Sequence, residues 1–248
     1  MEINELKYRK TIRKYSNRDI SEKLLNELFE VACHASTTGN MQLYSVVVTR
    51  DVEKKVALSP AHFNQKMVKS APVILTFCAD FNRFIKWCEF RSAKPEYGNF
   101  QSFLTALFDT VIFAQQFCTA AESEGLGICY LGTTTYNPDP IIDILKLPKM
   151  VIPVLTVTLG YPDENPQMVD RLPLCGIIHN EYYREYSRND IDNIYKYKEG
   201  LPENHKFIEE NDKATLAQVF TDVRYTKDNN EFFSKTFLDT LKRQGFNF

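Results

Sequence analysis

Apolar residues recur at three- and four-residue steps through Leu24, Leu28, Val31 and Ala32, directly behind Ser21-Glu22-Lys23. A short polar side chain ahead of such a stripe marks a helix start, so the pattern predicts an amphipathic helix opening at Ser21. The period then changes. Leu43 to Thr49 (LYSVVVT) and Pro72 to Ala79 (PVILTFCA) are short, β-branched and aromatic runs bounded by polar segments, which predicts two strands. From about Phe100 to Glu124 helical spacing returns through Phe103, Leu107, Thr110, Val111, Ala114, Phe117, Cys118 and Ala121, with Gly125 as the stop. Ile128 to Leu131 and Val151 to Leu159 read as further strands around a short helix that opens at Pro138-Asp139 and carries Ile141, Ile142 and Leu145. This alternation implies an α+β fold of the α/β sandwich kind.

Beyond Gly160 the pattern weakens. Tyr161 to Asn165 and Arg171 to Leu174 are punctuated by proline, and Tyr182 to Tyr197 is Tyr-rich and charged, which predicts an arm rather than core. Residues 196–231 are dense in charge and divided by Gly200 and Pro202, so they are expected to be mobile or excursive. A closing helix is predicted over Phe232 to Arg243. The division is therefore a core over residues 1–180 and, within the same domain, an excursion and closing helix over 181–248. An excursion with few internal contacts suggests one that embraces a second subunit.

Composition narrows the function classes. With 248 residues, 44% hydrophobic and 25% charged, the chain has enough apolar material for a sizeable core. A formal net charge of -2 gives no field to recruit nucleic acid or an anionic membrane. The start MEINELKYRK lacks an apolar leader, and no apolar run approaches the roughly 20 residues of a bilayer span, so a soluble, cytoplasmic chain is expected. The six cysteines, at 33, 78, 88, 118, 129 and 175, show no CxxC spacing and are expected to be buried free thiols. Histidines 34, 62, 179 and 205 are isolated, so no metal site is expected.

Gly125-Leu126-Gly127 is followed by Tyr130 where a dinucleotide loop needs glycine, and no GxxxxGK[ST], GxSxG or HExxH occurs. Any chemistry then comes from a bound cofactor. Two polar segments are candidates to hold one. Arg9, Lys10, Arg13 and Lys14 flank Thr11 within six residues, a donor set suited to phosphate, with positions 9 and 13 on one face if the stretch is helical. A solvated basic segment is the alternative. Ser36 to Gln42 (STTGNMQ) offers short donors and acceptors that can follow a polyhydroxylated chain, with an ordinary loop as the alternative.

Taken in order, RKTIRKY, STTGNMQ, A-x-F-N-Q-K ahead of VILTFCADFNR, GLGICYLG, and LGYPDENP followed by DRLP resemble the FMN-dependent nitroreductase family. The likeness is to its NADPH-dependent, oxygen-insensitive nitroreductase and flavin reductase subgroup. It runs from about residue 5 to 180 and again over LKRQGF, while 196–231 match poorly. The resemblance implies a central, mostly antiparallel sheet flanked by helices, and a homodimer whose C-terminal arm wraps the partner. It implies bound FMN and NADPH, or NADH, as electron donor. Hydride would pass through flavin N5 to nitroaromatics, quinones or free flavin by a ping-pong mechanism, with no obligatory catalytic side chain. A flavin-binding storage or sensing protein is the alternative.

Carried over by position, the phosphate pattern falls on Arg9, Lys10, Thr11 and Arg13, with Arg171 beside them. The ribityl and ring contacts fall on Thr37, Thr38, Asn40 and Gln42, and the pyrimidine edge on Gln65. Tyr130, Leu131, Gly132 and Thr133 match the strand exit whose backbone N–H groups face N5 and O4. Arg13 and Lys66 or Lys69 are candidates for charge near the reduced ring, and Lys206, Lys213 or Arg224 for the 2′-phosphate of NADPH. Val169 stands where the subgroup has Lys, Arg9 where it often has His, and Thr133 where many relatives have Gly.

Overall fold

Ser21 does open the predicted amphipathic helix, α1 (Glu22–Cys33): its side chain accepts from the Leu24 N–H, satisfying one of the unpaired donors of the first turn. The buried stripe is Leu25, Leu28 and Ala32, whereas Leu24 is only partly buried and Val31 is exposed. The adjacent leucines at 24 and 25 make the sequence stripe degenerate, and packing selects the second. This computed structural model describes residues 6–248, so the part of the N-terminal reading that falls on residues 1–5 lies outside it.

After α1 come β1 (Tyr44–Thr49), α2 (Val52–Leu58), α3 (Lys66–Ser70), β2 (Val73–Asp80), α4 (Asn82–Glu89), α5 (Phe100–Ser123), β3 (Gly127–Leu131), α6 (Pro138–Leu145) and β4 (Val151–Gly160). The strands form one sheet in the order β1-β2-β4-β3, with every neighbouring pair antiparallel. Every residue of the central strand β2 is buried, because both faces of the sheet are covered. The two-residue repeat of the strand sorts its side chains. Val73, Leu75 and Phe77 enter one core with Leu28, Phe113 and Phe117, while Ile74 enters another with Leu58, Val68 and Ile141. Burying a side chain such as Phe77 stabilises the fold by about 2–3 kcal/mol. Pro153 has no N–H for the ladder, and β2 and β4 shift register between Phe77 and Cys78, where Pro153 pairs.

The long helix α5 contributes Phe103, Ala106, Phe113, Ala114 and Phe117 to the interior, and Gly125 beyond its end takes φ 74°, as a left-handed helix stop requires. By length and composition α5 is apolar enough to cross a membrane, but these residues are core of the folded chain. Four of the six cysteines are buried; Cys33 and Cys175 are exposed, against expectation.

A second compact unit, Met168–Phe232, contains α7 (Arg188–Glu199), α8 (Pro202–Glu210), α9 (Leu216–Val219) and a π-helical turn over Phe220–Arg224. Residues 196–231, expected to be mobile or excursive, carry regular helices in this structure. Capping boxes at Ser187/Asp190 and Thr215/Gln218 start two of these helices, and Ile194, Leu216 and Val219 are buried. The last helix, α10 (Lys227–Arg243), begins five residues before the predicted Phe232. Its end returns to the first unit, where Leu241 and Phe246 pack with Ala79, Phe103 and Ile152.

Candidate functional site

The basic segment from Arg9 to Lys14 is not helical, so no helical face joins Arg9 to Arg13. It runs beside β3 instead. The Ile12 N–H donates to Ile128 O at 3.0 Å, and Ile12 packs so closely on Gly127 that a Cβ there would lie 2.6 Å from it. Tyr15 donates to Ile12 O at 2.7 Å, and burial raises its pKa. This anchoring brings both arginines near Cys129 of β3: burial pushes the Cys129 thiol up, and the Arg13 and Arg9 charges oppose that shift.

Each cation has a definite setting. Arg9 Nε contacts Glu122 of α5, and Arg9 Nη2 is buried without a hydrogen-bond partner. Lys10 Nζ donates to Asn165 Oδ1 at 2.7 Å. The Arg13 and Lys14 N–H groups donate to Glu164 Oε1 at 2.5 and 3.0 Å, holding that carboxyl below its usual range and leaving the Arg13 side chain exposed. Thr11 is half-buried. In the second unit Arg171 is exposed and donates to Val169 O at 3.1 Å and Asp170 O at 2.9 Å, while Lys198 Nζ pairs with Asp170 Oδ2 at 2.9 Å.

The loop over Thr37–Gln42 is organised by a residue that the sequence reading missed. Asp109, on the buried side of α5, accepts from Thr37 Oγ1 at 2.5 Å, Thr38 N at 2.8 Å and Leu43 N at 3.3 Å. The clue was a carboxylate three residues after Ala106 on the apolar stripe. Thr37 also accepts from the Gln42 N–H at 3.1 Å, so its hydroxyl shapes the loop from within. Gly39, Asn40 and Gln42 take φ of 56°, 56° and 55°, left-handed values that Gly and Asn tolerate best. Gln42 Nε2 donates to Asn40 Oδ1 at 3.1 Å, and Arg83 binds the Gln42 and Tyr44 carbonyls. Thr38 and Asn40 are exposed.

Gln65 follows a 3-10 turn over Ser59–His62 and caps α3, while β3 exits at Leu131 into a second 3-10 turn over Gly132–Thr135. Gly132 is exposed, and a Cβ there would meet nothing within 4 Å, so its backbone is open to a ligand. Tyr130 points away from this exit, donating to Gln115 Oε1 at 3.2 Å. Thr134 secures the turn by donating to Leu131 O at 2.9 Å. Lys66 and Lys69 are exposed on α3.

Of the cations considered for a nucleotide phosphate, Lys206 pairs with Glu210 at 3.5 Å and Lys213 with Asp222 at 3.2 Å. Arg224 instead lies over the Phe207 and Phe220 rings, 4.6 and 5.6 Å from their centroids. Among the described residues no His, Cys, Asp and Glu cluster suits a metal ion.

Comparison with known proteins adds a family. Residues 6–161 match the Nitroreductase family. An oxygen-insensitive NADPH nitroreductase of Salmonella typhimurium is 30% identical over 240 residues, 96% of this chain and 94% of its own. An FMN reductase (NADPH) of Bacillus subtilis is 27% identical over 246 residues, 96% of this chain and 95% of its own. A crystal structure from Bacteroides fragilis is 64% identical and superposes with a TM-score of 0.97, covering 98% of this chain and 99% of its own.

Proposed function

The chain belongs to the nitroreductase family, and from that premise we propose that it is a homodimeric, FMN-dependent oxidoreductase that uses NADPH, or NADH, to reduce small electrophiles such as nitroaromatics, quinones or free flavin. The observation that carries the reading is the clustering of Arg9 and Arg13 about Cys129, three residues before the open backbone of Gly132. At about 3.3 Å per residue, β3 separates the two places by about 10 Å, with cations at one and unobstructed peptide groups at the other.

The residues present fit the cofactor. Arg9, Lys10, Thr11 and Arg13 supply hydrogen-bond donors for a phosphate, and the unpartnered Arg9 Nη2 is a donor in search of an acceptor. Family likeness alone would add Arg171, a residue of the second unit, to this donor set. Thr38 and Asn40 face solvent and would follow the ribityl chain, with Gln42, while Thr37 holds the loop. Gln65 and the peptide groups of Tyr130, Leu131, Gly132 and Thr133 would take the ring. Held by these residues, FMN would supply the redox chemistry, carrying electrons from a nicotinamide donor to a small acceptor. The protein's part is to orient, to donate hydrogen bonds, and to place positive charge from Arg13 and Lys66 or Lys69 where negative charge develops.

The dimer is supported by α5. Phe108, Val111 and Ile112 are 56, 41 and 46% exposed at helical spacing, an apolar stripe suited to a second copy. The Tyr-rich segment with exposed Tyr182, Tyr183 and Tyr197 would embrace that copy. Six free cysteines accord with a reducing, cytoplasmic setting.

Anaerobic mixing with NADPH tests the reading. The oxidised flavin band should bleach and return on adding a quinone. Failure of both NADPH and NADH to bleach it would favour a flavin-binding protein without reductase activity.

A further inference from the structure

One buried polar contact joins the loop that carries Gln65 to the turn that follows β3. His62 is fully buried, and its Nδ1 lies 2.8 Å from Thr133 Oγ1. Its Nε2 is buried with no hydrogen-bond partner. Burial lowers the imidazole pKa to about 4, so the ring is neutral at pH 7 and carries a single N–H. A proton on Nε2 would be an orphaned donor, which is rarer in proteins than an under-satisfied acceptor. The proton is therefore assigned to Nδ1, which donates to Thr133 Oγ1 and leaves the Thr133 hydroxyl hydrogen free to donate elsewhere.

The surroundings hold this contact in place. Asn137 Nδ2 donates to Ala61 O at 3.1 Å, a second tie between the two segments. Phe63 and Asn64 take φ of 52° and 54°, with the Phe63 N–H bound to Pro60 O at 3.0 Å and the Asn64 N–H to Ser59 O at 2.9 Å. Consecutive left-handed residues without glycine are costly, so the surrounding structure must fix this turn. Thr133 is half-buried and directly follows the exposed Gly132.

We propose that His62 is a positioning residue for the flavin: through Thr133 it locks the Gly132–Thr135 turn to the Gln65 loop and aims the Thr133 hydroxyl, as an added hydrogen-bond donor, at the ring end of the site. The proposal rests on the FMN reading above. A donor to the reduced, more negative ring stabilises that form, so it raises the flavin midpoint potential. A histidine that merely filled the core would change stability alone.

The test compares Thr133→Val and His62→Leu, which remove the contact, with Thr133→Ser and His62→Asn, which retain a hydroxyl or a nitrogen donor near the same point. FMN dissociation constant, flavin midpoint potential and apo-protein melting temperature are read for each. Thr133→Val and His62→Leu should each weaken FMN binding about tenfold and lower the potential. Their double variant should be no worse than the weaker single, and the Ser and Asn variants should stay within about twofold of the parent. If Thr133→Val does not fold, Thr133→Gly reads the same loss. A fall in melting temperature with affinity and potential unchanged overturns the proposal. A parent protein that binds no FMN overturns the functional reading as well.

Discussion

Arg9 Nε lies between the two carboxylate oxygens of Glu122, 2.9 and 3.1 Å away, and so ties the N-terminal segment to α5. Burial pushes the Glu122 carboxyl up and the Arg9 charge opposes it. Arg9→Ala would strand a half-buried carboxylate, at a cost of about 1–3 kcal/mol. We predict a lower melting temperature together with weaker FMN binding. A lower melting temperature with unchanged FMN affinity would show that Arg9 serves the fold alone.

Asp109 accepts hydrogen bonds from Thr37, Thr38 and Leu43 with its two oxygens. Asn at this position would turn an amide donor toward one of those donors. Asp109→Asn should destabilise the protein by about 2–3 kcal/mol in urea unfolding and open residues 36–43 to proteolysis. FMN should protect the parent from the same cleavage. Unaltered cleavage of the variant would mean that the loop holds its shape without the carboxylate.

His62 sets a pH dependence. Its pKa is near 6.5 in an unfolded chain and about 4 in the folded one, so the unfolded state binds the extra proton between those values. The His62 contribution to stability is therefore complete above pH 6.5 and is lost as the pH falls toward 4. Melting temperature should drop across that window in the parent and drop less in His62→Leu. Parallel profiles would place the effect on other groups.

Arg224 is held by aromatic rings rather than by a carboxylate, unlike Lys206 and Lys213. If it meets the 2′-phosphate of NADPH, Arg224→Ala should lower kcat/KM for NADPH about tenfold and leave that for NADH nearly unchanged. Equal losses with both donors would assign Arg224 to the fold of the π-helical turn.

The exposed stripe on α5 makes the dimer testable. Ile112→Arg would bury an unpaired charge against a second copy, so sedimentation should show monomers, with reduced FMN content. A variant that remains dimeric would place the interface elsewhere.

The elements of the first unit were legible because the apolar period changes cleanly between helix and strand. The antiparallel pairing came from family likeness, since contacts such as Phe77 with Leu155 are set by packing far along the chain. The helices within the charge-dense stretch 196–231 were not legible because charge marks exposed helix faces as readily as mobile chain. The S-x-x-D and T-x-x-Q patterns at Ser187 and Thr215 were the overlooked signs of helix starts. The first turn of α10, Lys227 to Glu231, has no apolar residue to extend the stripe, so the helix was placed too late. At the site, the basic cluster was visible as composition, but its path beside β3 and the pairing of Arg9 with Glu122, 113 residues away, were not.

The most direct measurement is the absorption spectrum of the purified protein before and after denaturation. A yellow protein that releases close to one FMN per chain is the predicted result. A colourless protein that also fails to bind added FMN would contradict the account.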